Sequence, residues 1–138
     1  MRAGRLGLLV IEDSSVFTDT IRHLLTWTTE IELLGAATSA EAGLVLAQQT
    51  SPDLVLIDLI LPQMSGLEAA RVLKSRPGAP SVWVMSIYRS DIHEAAARAA
   101  GADRFIRKSD IPAAFDSLAL LAKRSSQQQY GTPNLRAA

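Results

Sequence analysis

The chain has 138 residues, with 14 basic and 14 acidic side chains, no net charge and no cysteine. That length holds one ordinary domain with one core, and 48% apolar against 20% charged residues is a globular rather than a disordered balance. The zero net charge excludes bulk affinity for nucleic acid or anionic lipid, the missing cysteine excludes disulfides and thiolate metal sites, and no apolar run approaches membrane-spanning length.

Leu6 to Ile11 reads as a first strand buried on both faces, because it is a short, nearly unbroken apolar run. Arg2 and Arg5 precede it, but Glu12-Asp13 end it too early for a secretory signal, so a cytoplasmic location is expected. From Ser14 the period changes, and Phe17, Ile21, Leu24 and Leu25 form a stripe at helical spacing, with Ser14 or Ser15 as the cap. Ile31 to Ala37 is a second strand. Thr38-Ser39-Ala40-Glu41 has capping-box spacing and opens a helix carrying Ala42, Val45 and Leu46, which Ser51-Pro52 ends. Leu54 to Ile57 is a third buried strand, and Asp58 stands where it emerges. After Pro62, Ser65-Gly66-Leu67-Glu68 is another capping box, starting a helix with Ala69, Val72 and Leu73. Pro77-Gly78-Ala79-Pro80 is a loop, and Val82 to Met85 is a fourth strand ending at Ser86. Ser90-Asp91 start a helix with Ile92, Ala95, Ala96 and Ala99 on one side, and Gly101 suits the left-handed position that stops it. Arg104 to Ile106 is a short fifth strand, followed by Lys108. The last helix begins near Asp110 with Pro112 in its first turn, and Phe115, Leu118, Ala119 and Ala122 form its inner stripe. From Lys123 the period is lost. The expected division is a domain over 6–123 and a flexible tail or start of a linker over 124–138.

Strand and helix alternate five times. Such alternation gives an α/β fold: a five-stranded parallel sheet with helices on both faces and right-handed crossovers, a flavodoxin-like (βα)5 three-layer sandwich of strand order 2-1-3-4-5. All strands then point one way, so Glu12-Asp13, Asp58, Ser86 and Lys108 meet at one sheet edge, where open α/β folds bind ligands. Three close carboxylates repel unless a cation joins them, and oxygen-only ligands favour Mg²⁺ or Mn²⁺. Ser86 and Lys108 opposite them suit an incoming phosphoryl group, with Asp58 as the nucleophile that would form an acyl phosphate.

Glu12-Asp13, Asp58 with Pro62 and Gly66 after it, Ser86, and Gly101-Ala102…Phe105…Lys108 resemble the receiver domain of bacterial two-component response regulators. The resemblance covers roughly residues 6 to 123. It implies that Asp58 accepts a phosphoryl group from a sensor histidine kinase, a phosphotransfer protein or a small phosphodonor. It implies direct metal ligation by Asp13 and Asp58, by Glu12 directly or through water, and by the backbone carbonyl of Ile60. Ser86 and Lys108 would hold phosphoryl oxygens, and Phe105 would be the switch aromatic that follows Ser86 inward. Such a protein is a signalling switch in a phosphorelay. It is not an enzyme acting on a separate substrate, since it catalyses only its own phosphorylation and dephosphorylation. Output through the fourth helix, fifth strand and last helix is implied, and the outer face there, with Arg104 and Arg107, is the candidate surface for a partner or a homodimer.

Ser109 follows Lys108 where many receivers have proline, a feature that resembles the NarL/LuxR class, whose output domain binds DNA. Contact with DNA is expected only if such a domain lies beyond the receiver. Ile60, Ile87 and Tyr88 flank the expected path of the water that attacks the acyl phosphate, so slow hydrolysis is expected. Two other classes compete. A haloacid-dehalogenase-type phosphohydrolase also uses a strand-end Asp, but it needs a second Asp where Ile60 stands. A flavodoxin-like binding module needs a phosphate-cradling loop where Glu12-Asp13 stand. His23 and His93 read as solvated, Trp27 and Trp83 as packing groups.

Overall fold

The computed structural model describes residues 4–127 and 135–136. Its strands are β1 (Leu6–Ile11), β2 (Ile31–Ala37), β3 (Leu54–Asp58), β4 (Ser81–Ser86) and β5 (Arg104–Arg107). Its helices are α1 (Ser15–Leu25), α2 (Ala40–Thr50), α3 (Gly66–Ser75), α4 (Asp91–Ala99) and α5 (Ile111–Gln127), with one 3₁₀ turn, Lys108–Asp110, leading into α5. All strand pairs are parallel, in the order β2-β1-β3-β4-β5.

Period-two alternation divides the strand residues between two cores. Leu9, Ile11, Val55, Ile57, Val84 and Phe105 pack against α2, α3 and α4, while Leu8, Val10, Leu56, Trp83, Met85 and Ile106 pack against α1 and α5. This two-sided cover explains why the first strand is apolar without alternation: all six of its residues are buried. Lys74 ties α3 to the edge of the sheet, bonding the Asp103 carboxylate at 2.8 Å and the Pro80 carbonyl at 3.0 Å.

Several local expectations change. The second helix is capped by Ser39, whose hydroxyl accepts from Ala42 N–H, one residue later than the Thr38…Glu41 box implies. The α4 stripe of Ile92, Ala95 and Ala99 faces solvent, with Ile92 80% exposed; small Ala97 and Ala100 make the buried contact instead. Trp83 is fully buried, but Trp27 is 80% exposed and so is not a packing residue. Helix α5 runs to Gln127, past the last apolar position of its stripe, because Lys123 and Arg124 are good helix formers that need no inner face. Within the expected tail, Leu135 is buried at 3% exposure among α5 and β5 residues, and Arg136 bonds Asp103; the rest of 128–138 lies outside the described residues.

Candidate functional site

The strand register builds the site. Ile11 pairs with Ile57 and Asp58 pairs with Met85, so Glu12, Asp58 and Ser86 arrive together at the carboxyl ends of β1, β3 and β4. Ser86 pairs with Arg107, so Lys108 follows at the same edge. Glu12, Asp58 and Ser86 are buried, and Asp13 is exposed at the rim.

Asp58 is held at both oxygens. Oδ1 accepts from Ile60 N–H at 3.0 Å, and Oδ2 accepts from Lys108 Nζ at 3.0 Å. The same ammonium lies 3.1 Å from both Glu12 oxygens. Only the Oε1 contact has hydrogen-bond geometry, so Oε2 is buried without a hydrogen-bond partner. Oε1 also accepts from Ser14 N–H at 3.2 Å, which ties the carboxylate to the start of α1. Ser86 Oγ accepts from Tyr88 N–H at 3.3 Å, fixing the turn after β4.

These charges are not balanced. Carboxylate oxygens of Glu12, Asp13 and Asp58 lie within 4.8 Å of one another, a set that could hold a metal ion. Burial first, and then the neighbouring Asp58 carboxylate, which favours a proton on Glu12 and repels a second negative charge, push Glu12 up to about 7, against the opposing pull of Lys108. Burial lowers Lys108, but hydrogen bonds and attraction to Asp58 and Glu12 outweigh it and raise the ammonium above its ordinary value. One ammonium therefore serves two buried carboxylates, and the cluster remains short of positive charge. An oxygen-only donor set with an orphaned buried carboxylate oxygen fits a hard divalent cation.

A profile of the response regulator receiver domain matches residues 8–118. The chain belongs to the response regulator receiver family. It is 34% identical over 107 residues to the nitrate/nitrite response regulator protein NarL of Escherichia coli K12, covering 76% of this chain and 49% of that protein. The receiver thus spans about half the length of that curated relative. The signal receiver domain of a NarL response regulator from Mycobacterium tuberculosis superposes with a TM-score of 0.76 at 23% identity, over 84% of this chain and 97% of that one. A LuxR-family two-component response regulator from Aurantimonas gives 0.75 at 22% identity, over 96% and 93%. This is a receiver domain of two-component signalling with the family's sheet order and acidic pocket.

The residues named from sequence divide by position. Glu12, Asp13, Asp58, Ser86 and Lys108 meet at one edge of the receiver. Phe105 lies within the sheet at 7% exposure, packed on the α4 side with Val84, Ala97 and Ala100. Ile60, Ile87 and Tyr88 stand in the flanking turns at 72%, 65% and 78% exposure. His23 and His93 are exposed, away from the cluster. The Lys108–Ser109 bond is trans, as no cis peptide occurs among the described residues. No described helix is long and apolar enough to cross a membrane.

Two features escape a reading by residue type. Phe17, counted only as part of an apolar stripe, places its ring 4.6 Å from Lys108 Nζ and gives the ammonium a cation–π face. The signal was available: Phe17 lies one helical turn past Asp13, at the same edge. Gly66 is explained by contact. A Cβ added there would overlap the Asp58 carbonyl oxygen, so the start of α3 passes directly over the backbone of the central carboxylate.

Proposed function

We propose that this receiver is a phosphorylation-dependent switch in which Asp58 accepts a phosphoryl group from a sensor histidine kinase, a phosphotransfer protein or a small phosphodonor. The observation that carries the reading is the pairing of Asp58 with Lys108 beside two further carboxylates. It presents a nucleophile, a phosphate-binding cation and a divalent-metal cradle in one place. Glu12, Asp13 and Asp58, with the Ile60 carbonyl, would hold Mg²⁺ or Mn²⁺, and the bound ion would neutralise charge on the phosphoryl oxygens.

The receiver's own groups account for the rest. An Asp58 carboxylate oxygen attacks phosphorus in line, forming an O–P bond as the donor's N–P or O–P bond breaks, and the leaving group carries away that electron pair. The Ile60 N–H orients the carboxylate. Lys108 exchanges an Asp58 oxygen for a phosphoryl oxygen, and the Phe17 ring keeps its ammonium at that position. Ser86 Oγ donates to a second phosphoryl oxygen. The Ser86 turn then moves toward Asp58 and stabilises the inward position of Phe105, a two-state element biased by contacts with the phosphoryl group. Signal leaves through the α4–β5–α5 face. The chain acts on its own Asp58 and has no separate substrate.

Intact-mass spectrometry after incubation with acetyl phosphate and Mg²⁺ tests the reading. One added phosphoryl group on the parent, none on Asp58→Asn and none with EDTA is expected. Equal labelling of parent and Asp58→Asn refutes it.

A further inference from the structure

A capping box would turn the Glu41 carboxylate back onto its own helix. The structure turns it outward. With Ser39 as the cap of α2, Glu41 stands at the second helical position, and the Ser39 hydroxyl already satisfies Ala42 N–H. Glu41 Oε1 instead accepts from Met64 N–H at 3.2 Å, a partner 23 residues away in the chain. That amide belongs to the loop between Asp58 and α3, so α2 reaches across to the segment that carries the central carboxylate.

Both ends of this loop are fixed without Glu41. Leu59 N–H donates to Met85 O at 2.8 Å, and Gly66 N–H donates to Leu59 O at 3.1 Å. Ile60 N–H holds Asp58 Oδ1, and Leu61 is buried. The apex is different. Pro62 has no N–H to donate, Pro62 and Gln63 are exposed, and Gln63 is held at a φ of +63°. A side chain is strained in that left-handed region, and glutamine lacks the short polar group with which asparagine or aspartate offsets the strain. Among the described residues, the bond from Met64 to Glu41 is the one hydrogen bond that joins residues 62–64 to another element. Without it, Gln63 is free to relax toward negative φ, and the path of the chain back to Ile60 shifts with it.

The arm that makes this bond is itself well seated. A Cβ added at Gly43 would overlap the Ile11 side chain, so α2 lies close on the end of β1. Farther along, Arg76 Nη1 donates to the Leu44 carbonyl at 3.2 Å and ties α2 to the end of α3. The helix dipole favours a carboxylate in this first turn.

We propose that Glu41 is a positioning residue for the phosphorylation site, acting through the Met64 amide on the loop that carries Ile60. The two peptide groups of Ile60 are what the loop must place: its N–H orients Asp58, and its carbonyl belongs to the proposed cation cradle. The proposal deepens the reading of Asp58 as phosphoacceptor and rests on it. The loop needs an acceptor at residue 41 rather than a charge, so glutamine serves as well as glutamate. The bond opposes strain at Gln63, so glycine at residue 63 reduces the need for it.

Three measurements on the full chain test it: hydrogen exchange of the Met64 amide by NMR in metal-free protein, Mg²⁺ affinity by calorimetry, and the rate of Asp58 labelling by acetyl phosphate. Glu41 is exposed and spends its side chain on this one bond, so Glu41→Ala should fold as the parent does. In Glu41→Ala the Met64 amide is expected to exchange faster, with Mg²⁺ affinity and labelling rate each about fivefold lower. Glu41→Gln should match the parent in all three, and Glu41→Ala/Gln63→Gly should recover most of the loss. Mg²⁺ affinity and labelling in Glu41→Ala equal to the parent's overturn the proposal. So does a Glu41→Gln protein as impaired as Glu41→Ala, which would make the effect one of charge. A parent that takes up no phosphoryl group, while Met64 exchange and Mg²⁺ affinity follow the expected order, removes the switch and leaves the role of Glu41 in the loop. A parent that is labelled, with every variant equal to it, removes the role of Glu41 alone.

Discussion

Gly66→Ala is the substitution whose effect the structure fixes most tightly. The added Cβ would overlap the Asp58 carbonyl oxygen and lie 2.9 Å from its carbon and 3.1 Å from Leu59 Cα. An ordinary carbon–carbon contact is about 3.5–4.0 Å, so the two backbones must separate by roughly 1 Å. Every atom in the way is main chain. None can swing aside as a side chain would, and the Gly66 N–H bond to Leu59 O at 3.1 Å holds the approach closed. Alanine's better helix propensity recovers at most about 1 kcal/mol. Overpacking against a rigid wall costs about 3 kcal/mol or more, which lowers the melting temperature of a domain this size by roughly 10 °C. The strain falls on the residue proposed to be phosphorylated, so labelling by acetyl phosphate should slow together with the loss of stability. Gly78→Ala is the control. A Cβ there meets nothing within 4 Å, and only its φ of +66° opposes a side chain, at about 1 kcal/mol. Urea denaturation of the three proteins and the rate of phosphoryl addition decide the matter. A Gly66→Ala protein within about 0.5 kcal/mol of the parent and labelled at the same rate refutes the close-approach argument.

Three further outcomes rest on the same geometry. Glu12 sits at about 7 when folded against an ordinary 4.5, so folding favours its protonated form. That stability is complete below about pH 4.5 and is lost as pH rises through 7, about 3 kcal/mol in all; metal-free protein should unfold at higher urea at pH 5 than at pH 8, Mg²⁺ should reverse the loss at pH 8, and an unchanged midpoint contradicts the reasoning. Lys108→Ala removes the ammonium that competes with a divalent cation for Glu12 and Asp58; Mg²⁺ affinity by calorimetry should rise severalfold while phosphoryl addition falls at least tenfold, and weaker Mg²⁺ binding would count against the shared-carboxylate account. Ile60→Asn and Ile87→Ala should each speed hydrolysis of the phosphorylated form severalfold by opening the flanks of Asp58 to water, read as loss of the phosphoryl adduct with time; rates equal to the parent in both would remove these side chains from any role in access.

The sheet was legible because its residues obey one rule. Strands covered on both faces must be apolar throughout, and Leu54 to Ile57 or Val82 to Met85 fit nothing else. The acidic cluster was legible for a related reason: parallel strands all end at one edge and deliver their next residues there, so sequence position alone brings Glu12, Asp58 and Lys108 together. Helix faces were less readable. Ile92 belongs by type to a core, yet α4 packs through Ala97 and Ala100, because small side chains allow the close approach its position requires. Trp27 is apolar in body but comes after the last turn of α1, where little remains to cover it. The cap of α2 shifted by one residue because Thr38 and Ser39 offer nearly equivalent hydroxyls. Leu135 and Arg136 had no periodic context at all, and only tertiary packing assigns them a place on the body. Phe17 shows the opposite limit: its helical stripe was correct, but a stripe does not say that its first member ends against an ammonium.

Reductive trapping tests the central claim most directly. Borohydride converts a phosphorylated aspartate to homoserine, and peptide mapping after treatment with acetyl phosphate and Mg²⁺ then reads the modified position. Homoserine at residue 58, absent when Mg²⁺ is chelated, is the expected result. Homoserine in place of Asp13, or none at any position under conditions where Mg²⁺ binds, would contradict the assignment of Asp58 as the phosphoacceptor.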